Sequence, residues 1–324
     1  MLINAVLWSG LFGVFDLAFA QTWIQTSAPI KNWWSIASSA DGNTLIAATA
    51  DGGQSQIYIS TNSGLAWISN TVVPLGDPCV AASADGCRLA IVRSGTHTNG
   101  FFISTNTGVS WSQVRDPTNV WWASIATSAD GRNLVALGEV PEEIVTSTNF
   151  GATWTPQAAV PTLTGQSEWG PAASSADGIR LVVAPVNGGK IYISTNSGIN
   201  WITNIVYDAN WICLASSADG NKLAAATHAG LVYVSTNRGI GWKSKSLTSI
   251  QLNALSCSAD GKTLVAGAGI FFLWTIFISQ PMPARLGLRQ ARQRIIGIRS
   301  PPRRMEASYR PWRMAVASGY RNTR

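Results

Sequence analysis

The chain has 324 residues, 46% of them hydrophobic, with four Cys, two His and a formal net charge of +7. His97 and His228 lie far apart and the four cysteines read as small apolar fillers, so neither a metal site nor a disulfide framework is readable and no cofactor is expected. No phosphate-cradling glycine loop and no Gly-x-Ser-x-Gly elbow is present, while the chain is long enough to bury a sizeable core.

Residues 1–20 run from Met1-Leu2-Ile3-Asn4 through an apolar stretch to Ala18-Phe19-Ala20, the pattern of a secretory leader cleaved before Gln21. No Lys or Arg precedes the stretch and Asp16 interrupts it, which also suits an irregular N-terminal strand. It is short for a membrane span. The expectation is a secreted, periplasmic or cell-surface protein without a stable span. Thr22-Trp23-Ile24-Gln25 follows, and has the form of a closing strand that lacks the unit before it.

From here the chain repeats. Ser39-Ala40-Asp41-Gly42 recurs from Ser83, Ser128, Ser175, Ser217 and Ser258, at spacings of 44, 45, 47, 42 and 41 residues. Each period holds four short strand patterns. In the first they are Trp34–Ser38, Thr44–Ala48, Ile57–Ser60 and Ala66–Ser69, separated by Gly, Asn, Asp and Ser. A period of this length with four strands predicts an all-β propeller whose blades follow chain order. The spans 33–67, 77–111, 121–154, 169–201 and 211–242 are five complete blades, and a sixth has three strands in frame. Asp-Gly reads as a two-residue primed hairpin turn. A cation-binding ring of these six carboxylates is disfavoured, because separate turns would not bring them to one ion.

A second phrase separates strands three and four: Ser60-Thr61-Asn62-Ser63-Gly64-Leu65-Ala66-Trp67, repeated over residues 104–111, 147–154, 194–201 and 235–242. Ser-x-Asn-x-Gly-x-x-Trp resembles the Asp-box, or BNR repeat, with Asn in the Asp position in all five copies. The resemblance covers roughly residues 20–279. It links the chain to the propellers of sialidases, sortilin-type receptors and photosystem II assembly-factor-like proteins. It implies a structural box whose side chain ties the turn to the backbone and whose Trp packs between blades. Asn supports such a local bond.

A sialidase would require an arginine cluster, a tyrosine nucleophile and acidic helpers. Only Arg88, Arg93, Arg115, Arg132, Arg180 and Arg238 occur before residue 280, and three of them follow Asp-Gly turns, away from the usual binding face. Tyr58, Tyr192 and Tyr233 share one strand position and read as packing. Glu142-Glu143 is the one adjacent carboxylate pair, on a loop between strands two and three. No catalytic residue is therefore assigned.

Candidate ligand contacts come from a different slot. Trp33, Trp122, Trp169 and Trp211 each stand six residues before a Ser-Ala-Asp-Gly, where the innermost strand begins, while Asp77 and Leu252 take that position in the other repeats. Such rings could line the channel mouth and stack on sugars or apolar peptide side chains. The slot suits inter-blade packing as well. The reading is a non-catalytic binding or assembly propeller with a protein or glycan partner, and no nucleic acid. The alternatives are a degenerate sialidase-like glycosidase and a non-functional frameshifted product.

The frameshift reading comes from the end of the chain. Residues 1–279 hold 12 Lys plus Arg and 15 Asp plus Glu, a net of −3, whereas residues 280–324 hold 11 Arg and one Glu, a net of +10. A basic arm is one reading of such a tail. Back-translated with codon boundaries shifted, however, Ile278–Gly287 permits another Ser-Thr-Asn-Ala-Gly-Ala-Thr-Trp, and Arg299–Ser318 permits another Ser-Ala-Asp-Gly at the expected period. Residues 280–324 are therefore read as out of frame and unstructured, and the ancestor as seven-bladed. The truncated ring exposes strand edges.

Overall fold

The computed structural model describes residues 26–278 apart from 51–54, 71–75, 94–99, 116–119, 140–141, 158–162, 164–167, 204–207, 247–251 and 271–272. The expectations for the leader, for residues 22–25 and for the basic tail lie outside the described residues. Among the described residues all regular structure is strand, and no helix is long and apolar enough to cross a membrane.

Each sheet follows chain order from the inside outward. Blade one is β1 (Trp33–Ser38), β2 (Leu45–Thr49), β3 (Ile57–Ser60) and β4 (Ile68–Asn70). Blade two is β5 (Pro78–Ala82), β6 (Leu89–Arg93), β7 (Phe101–Ser104) and β8 (Ser112–Val114). Blade three is β9 (Trp122–Thr127), β10 (Leu134–Gly138), β11 (Glu143–Ser147) and β12 (Thr155–Pro156). Blade four is β13 (Glu168–Ser174), β14 (Leu181–Val186), β15 (Tyr192–Ser194) and β16 (Ile202–Thr203). Blade five is β17 (Trp211–Ser216), β18 (Leu223–Thr227), β19 (Leu231–Ser235) and β20 (Lys243–Ser246). The sixth sheet has three strands, β21 (Leu252–Cys257), β22 (Leu264–Ile270) and β23 (Leu273–Ile278). All pairings are antiparallel. The all-β propeller expectation of five four-stranded blades and a three-stranded sixth is met.

The core is a series of wedges between consecutive sheets. Ile46, Ala48, Ile57 and Ile59 of blade one pack on Val80, Leu89, Ile91 and Phe102 of blade two. Val182, Ala184, Ile191 and Ile193 of blade four pack on Trp211, Leu214, Leu223 and Tyr233 of blade five. The second strands are therefore buried on both faces: β2, β6, β10 and β18 are buried at every position. Their uninterrupted runs of Leu, Ile, Val and Ala follow from that, since neither face meets water.

The Ser-Ala-Asp-Gly turns differ from the primed hairpin expected. Asp41 and its equivalents keep negative φ, and only the glycine is left-handed, at +72° for Gly42. Gly42 N–H donates to the Ser39 carbonyl at 3.0 Å, which closes a turn over residues 39–42. The Asp side chain is what fixes it. Ser39 Oγ donates to Asp41 Oδ1 (2.6 Å), Asn43 N–H donates to the same oxygen (2.9 Å), and Thr44 N–H donates to Ser39 Oγ (2.9 Å). Serine hydroxyls first, and backbone N–H groups second, hold Asp41, Asp85, Asp130, Asp219 and Asp260 below the ordinary carboxylate range. Asp is thus a local cap here, in a conformation open to any residue.

These turns also join the blades. Ala40 N–H donates to Ala84 O, Ala84 to Ala129, Ala129 to Ala176, Ala176 to Ala218 and Ala218 to Ala259, each at 2.7–2.8 Å. One backbone hydrogen bond therefore crosses every inter-blade boundary in the same direction.

Candidate functional site

The turn end of the blades is occupied by structural work. In the second phrase Ser60 Oγ donates to Asn62 Oδ1 (2.9 Å) and accepts from Gly64 N–H (2.9 Å), while Asn62 Oδ1 accepts from Ala66 N–H (2.8 Å). The same set recurs around Asn106, Asn149, Asn196 and Asn237. Two successive left-handed residues, Ser63 at +58° and Gly64 at +82°, explain the glycine. The Trp that ends the phrase packs with the inter-blade clusters: Trp154 belongs to one, and Trp111, Trp201 and Trp242 lie against three others.

The arginines of this end are staples. Arg180 Nη1 donates to Asp219 O of the next blade (2.9 Å), as Lys222 Nζ does to Asp260 O (2.8 Å) and Asn133 Nδ2 to Asp177 O (2.8 Å). Arg88 lies 4.2 Å over the Phe150 ring, Arg132 Nε donates to Thr148 O (3.0 Å) and Arg238 Nε to Asn221 Oδ1 (2.8 Å). At the other end Arg93 is buried over Phe102. These side chains point to separate partners, and the structure does not bring them together.

The tryptophan slot is corrected. Trp122, Trp169 and Trp211 are 0% exposed, so no ring face is presented to a channel ligand. Trp211 and Trp169 make edge contacts with Tyr233 (5.3 Å) and Tyr192 (5.5 Å), and Trp122 leans on Phe101 (4.7 Å). Trp33 is half-buried, 5.1 Å from Tyr58. The cause is a β-bulge. In every sheet except the second the pairing of strands one and two shifts at this slot, between Trp211 and Cys213 for example, which turns the side chain into the inter-blade wedge. Asp77 fills the slot in the second sheet, and its register is regular. The slot therefore holds packing residues.

Neighbouring residues reach the mouth end instead. Trp34 is 58% exposed and Trp121 is 37% exposed, each beside a Trp of the packing slot. Glu139 lies there, with Glu168 and Asp77 of the two neighbouring blades within electrostatic reach of it. Glu139, at the end of β10, is pushed up to about 7, first by burial and then by Glu168 and Asp77. Asp77 precedes β5 and Glu168 opens β13. Cys79 lies beside Glu139: burial, followed by that carboxylate, pushes its thiol up to about 12, and its Sγ–H donates to the Ala123 carbonyl at 2.9 Å. The Glu139 backbone N–H donates to the Trp121 carbonyl at 2.7 Å, which joins the main chains that carry the carboxylate and the exposed indole. Sequence reasoning missed this group because its members occupy three different repeat positions. The signal available was that strand one begins, and strand two ends, at the same end of every blade. Among the described residues no cluster of His, Cys, Asp and Glu can hold a metal ion.

Chemically the group offers a carboxyl that both donates and accepts near neutral pH, two further acceptors, and two apolar ring faces. That set suits hydroxyl- or amide-bearing ligands.

No family model matches the chain, and no curated protein matches it. Solved structures do. The chain is similar to Kuenenia stuttgartiensis hydrazine synthase at 14% identity and a TM-score of 0.60, covering 77% of this chain and 84% of that one. It is similar to YCF48 bound to D1 peptide at 18% identity and a TM-score of 0.51, covering 72% and 74%. It is also similar to the GH74 enzyme of Niastella koreensis at 20% identity and a TM-score of 0.54, covering 74% of this chain and 36% of that one. Likeness at such identities shows the propeller fold alone.

Proposed function

We propose that the chain is a non-catalytic binding or assembly propeller, exported from the cell, that holds a protein segment or glycan at the mouth end of blades one to four. The observation that carries this is Glu139, within electrostatic reach of Asp77 and Glu168, at the end of the blades where the indoles of Trp34 and Trp121 are exposed. Exposed rings gain by covering apolar ligand surface, and carboxylates accept hydrogen bonds from amides or hydroxyls. The repeat's own carboxylates take no part, because their turns hold them. One neighbour in fold is bound to a peptide, in keeping with a segment-binding role. Export rests on the leader pattern of Met1–Ala20. The test is a peptide and glycan array: hits should lose roughly tenfold in affinity with Trp34→Ala or Glu139→Gln, about 1.4 kcal/mol. Unchanged binding by both folded variants overturns the reading.

One observation favours a glycosidase-like reading in second place. A carboxyl raised to about 7 beside other carboxylates is the usual state of a general acid, and glycoside hydrolysis uses a carboxylate pair. Hydrolysis of a soluble β-glucan that is abolished by Glu139→Gln would promote this reading over binding.

A further inference from the structure

Each Ser-x-Asn-x-Gly-x-x-Trp turn carries a residue whose side chain the fold does not use. The residue after the glycine closes the turn with its backbone alone: Leu65 N–H donates to Asn62 O, Val109 to Asn106, Ala152 to Asn149, Ile199 to Asn196 and Ile240 to Asn237, each at 3.2 Å. Its side chain points outward. Leu65 is 69% exposed, Val109 83%, Ile199 60% and Ile240 78%. Ala152 is exposed too, so the same turn forms without a large side chain. One exposed aliphatic residue needs no explanation. Four in five copies of one slot do, because turns favour Gly, Asn, Asp and Ser over branched aliphatics.

The slot is rigid and level from blade to blade. The residue before the glycine has φ between +57° and +63°, and the glycine between +79° and +88°, in all five copies. That residue also bonds to the Ser-Ala-Asp-Gly turn of its own blade, as Ser63 N–H does to Asn43 O (2.9 Å) and Arg238 N–H to Asn221 O (2.8 Å). Equivalent blades set round one axis therefore carry their aliphatic side chains at one height. Ile68 (75% exposed) and Ile202 (62%) open β4 and β16 three residues later and widen the apolar tip in blades one and four.

Between the tips the surface is polar. Asn106 and Ser110 are exposed on either side of Val109. Arg88, Arg132, Arg180 and Lys262 lie within electrostatic reach of the Asp of their own turns, so positive and negative groups offset one another locally. Separate aliphatic tips on such a surface do not make the contiguous apolar centre of a protein interface. They match a bilayer surface. There, side chains insert one by one, and zwitterionic headgroups present both signs of charge at the same spacing as they meet the protein.

We propose that the turn end of the propeller docks on a lipid surface, with Leu65, Val109, Ile199 and Ile240 inserted below the headgroups and the mouth end facing away. The proposal does not depend on the mouth-end site.

The test uses the full chain with the exposed Cys87 replaced by Ser. An environment-sensitive fluorophore is attached through Ala152→Cys at the turn end or, separately, through Glu142→Cys at the mouth end. Each protein is titrated with phosphatidylcholine vesicles whose acyl chains are brominated. The expected result is quenching at position 152 and none at position 142. Adding Val109→Ser with Ile240→Ser should raise the lipid needed for half-maximal quenching about tenfold, since two aliphatic side chains no longer leave water. High salt should leave the quenching unchanged, because the charges of this face are offset. Quenching at position 142 alone, at neither position, or at position 152 with no response to the two serines overturns the proposal. So does concentration-dependent dimerisation in sedimentation velocity that the two serines abolish, without quenching at position 152: the face would then be a contact between two copies of the chain. The serine variant should keep the unfolding midpoint of the parent, so loss of quenching is read on a folded protein.

Discussion

Replacing Trp211 by Ala separates packing from ligand contact. The indole is 0% exposed, meets Tyr233 edge-on at 5.3 Å and donates from Nε1 to Gly189 O at 2.8 Å. Its cluster joins blade four to blade five through Val182, Ala184, Ile191 and Ile193. Truncation of a fully buried Trp costs about 3–5 kcal/mol, and the lost hydrogen bond adds at most about 1 because Gly189 is only half-buried. The ring bridges two blades, so the loss falls on the boundary between repeats and should broaden unfolding and lower its denaturant slope. Trp34→Ala, on an indole 58% exposed, should cost about 0.5 kcal/mol or less. Urea unfolding followed by circular dichroism gives both values. A cost below about 1 kcal/mol for Trp211→Ala, or equal costs for the two variants, would refute the assignment of this slot to packing.

Asp219→Ala removes the acceptor of Ser217 Oγ (2.5 Å) and Asn221 N–H (3.0 Å) and should cost about 1 kcal/mol in urea unfolding. Because the paired turn carboxylates are held below their ordinary values, their contribution is present above about pH 4 and is lost as pH falls through the lowered range. Glu139 has the opposite sign: raised from 4.5 to about 7, it binds a proton more readily in the folded state, so stability falls as pH rises from 4.5 through 7. After discounting for its half-exposed position the fall is about 1–2 kcal/mol; Glu139→Gln should abolish it, and an unchanged pH slope would contradict this. Gly220→Ala should cost about 1–2 kcal/mol, since φ is +65° and the new Cβ would lie 2.7 Å from Arg180 Cδ; a neutral result would mean that the turn relaxes. Deleting residues 280–324 should leave solubility and ligand binding unchanged or improved, and loss of specific binding on deletion would assign the tail a role.

The fold was legible because its signals are local and repeated. Ser-Ala-Asp-Gly and Ser-x-Asn-x-Gly-x-x-Trp encode side-chain-to-backbone bonds within five residues, and six copies at one period leave little freedom of architecture. The type of turn was less legible. Asp-Gly fits a primed hairpin by conformation, but the Ser39 hydroxyl stabilises Asp41 as a cap, and that bond wins. The exposed rings stand one residue away from the candidate slot. In Trp33-Trp34 and Trp121-Trp122 the repeat slot marks the more buried ring of the two, and no pattern announces the bulge that accompanies it. Asp77, Glu139 and Glu168 were hidden for a related reason: Asp77 and Glu168 come within electrostatic reach of Glu139 only when blades two, three and four are packed side by side.

The measurement that tests the mouth-end site most directly is one peptide and glycan array probed with three folded proteins: the wild type, Trp34→Ala with Glu139→Gln, and Val109→Ser with Ile240→Ser at the turn end, where both aliphatic side chains are about four-fifths exposed. Hits of the wild type should vanish for the first variant and persist for the second. Hits that survive in the first variant, or that depend on the turn-end residues, would place the binding surface elsewhere and contradict the account.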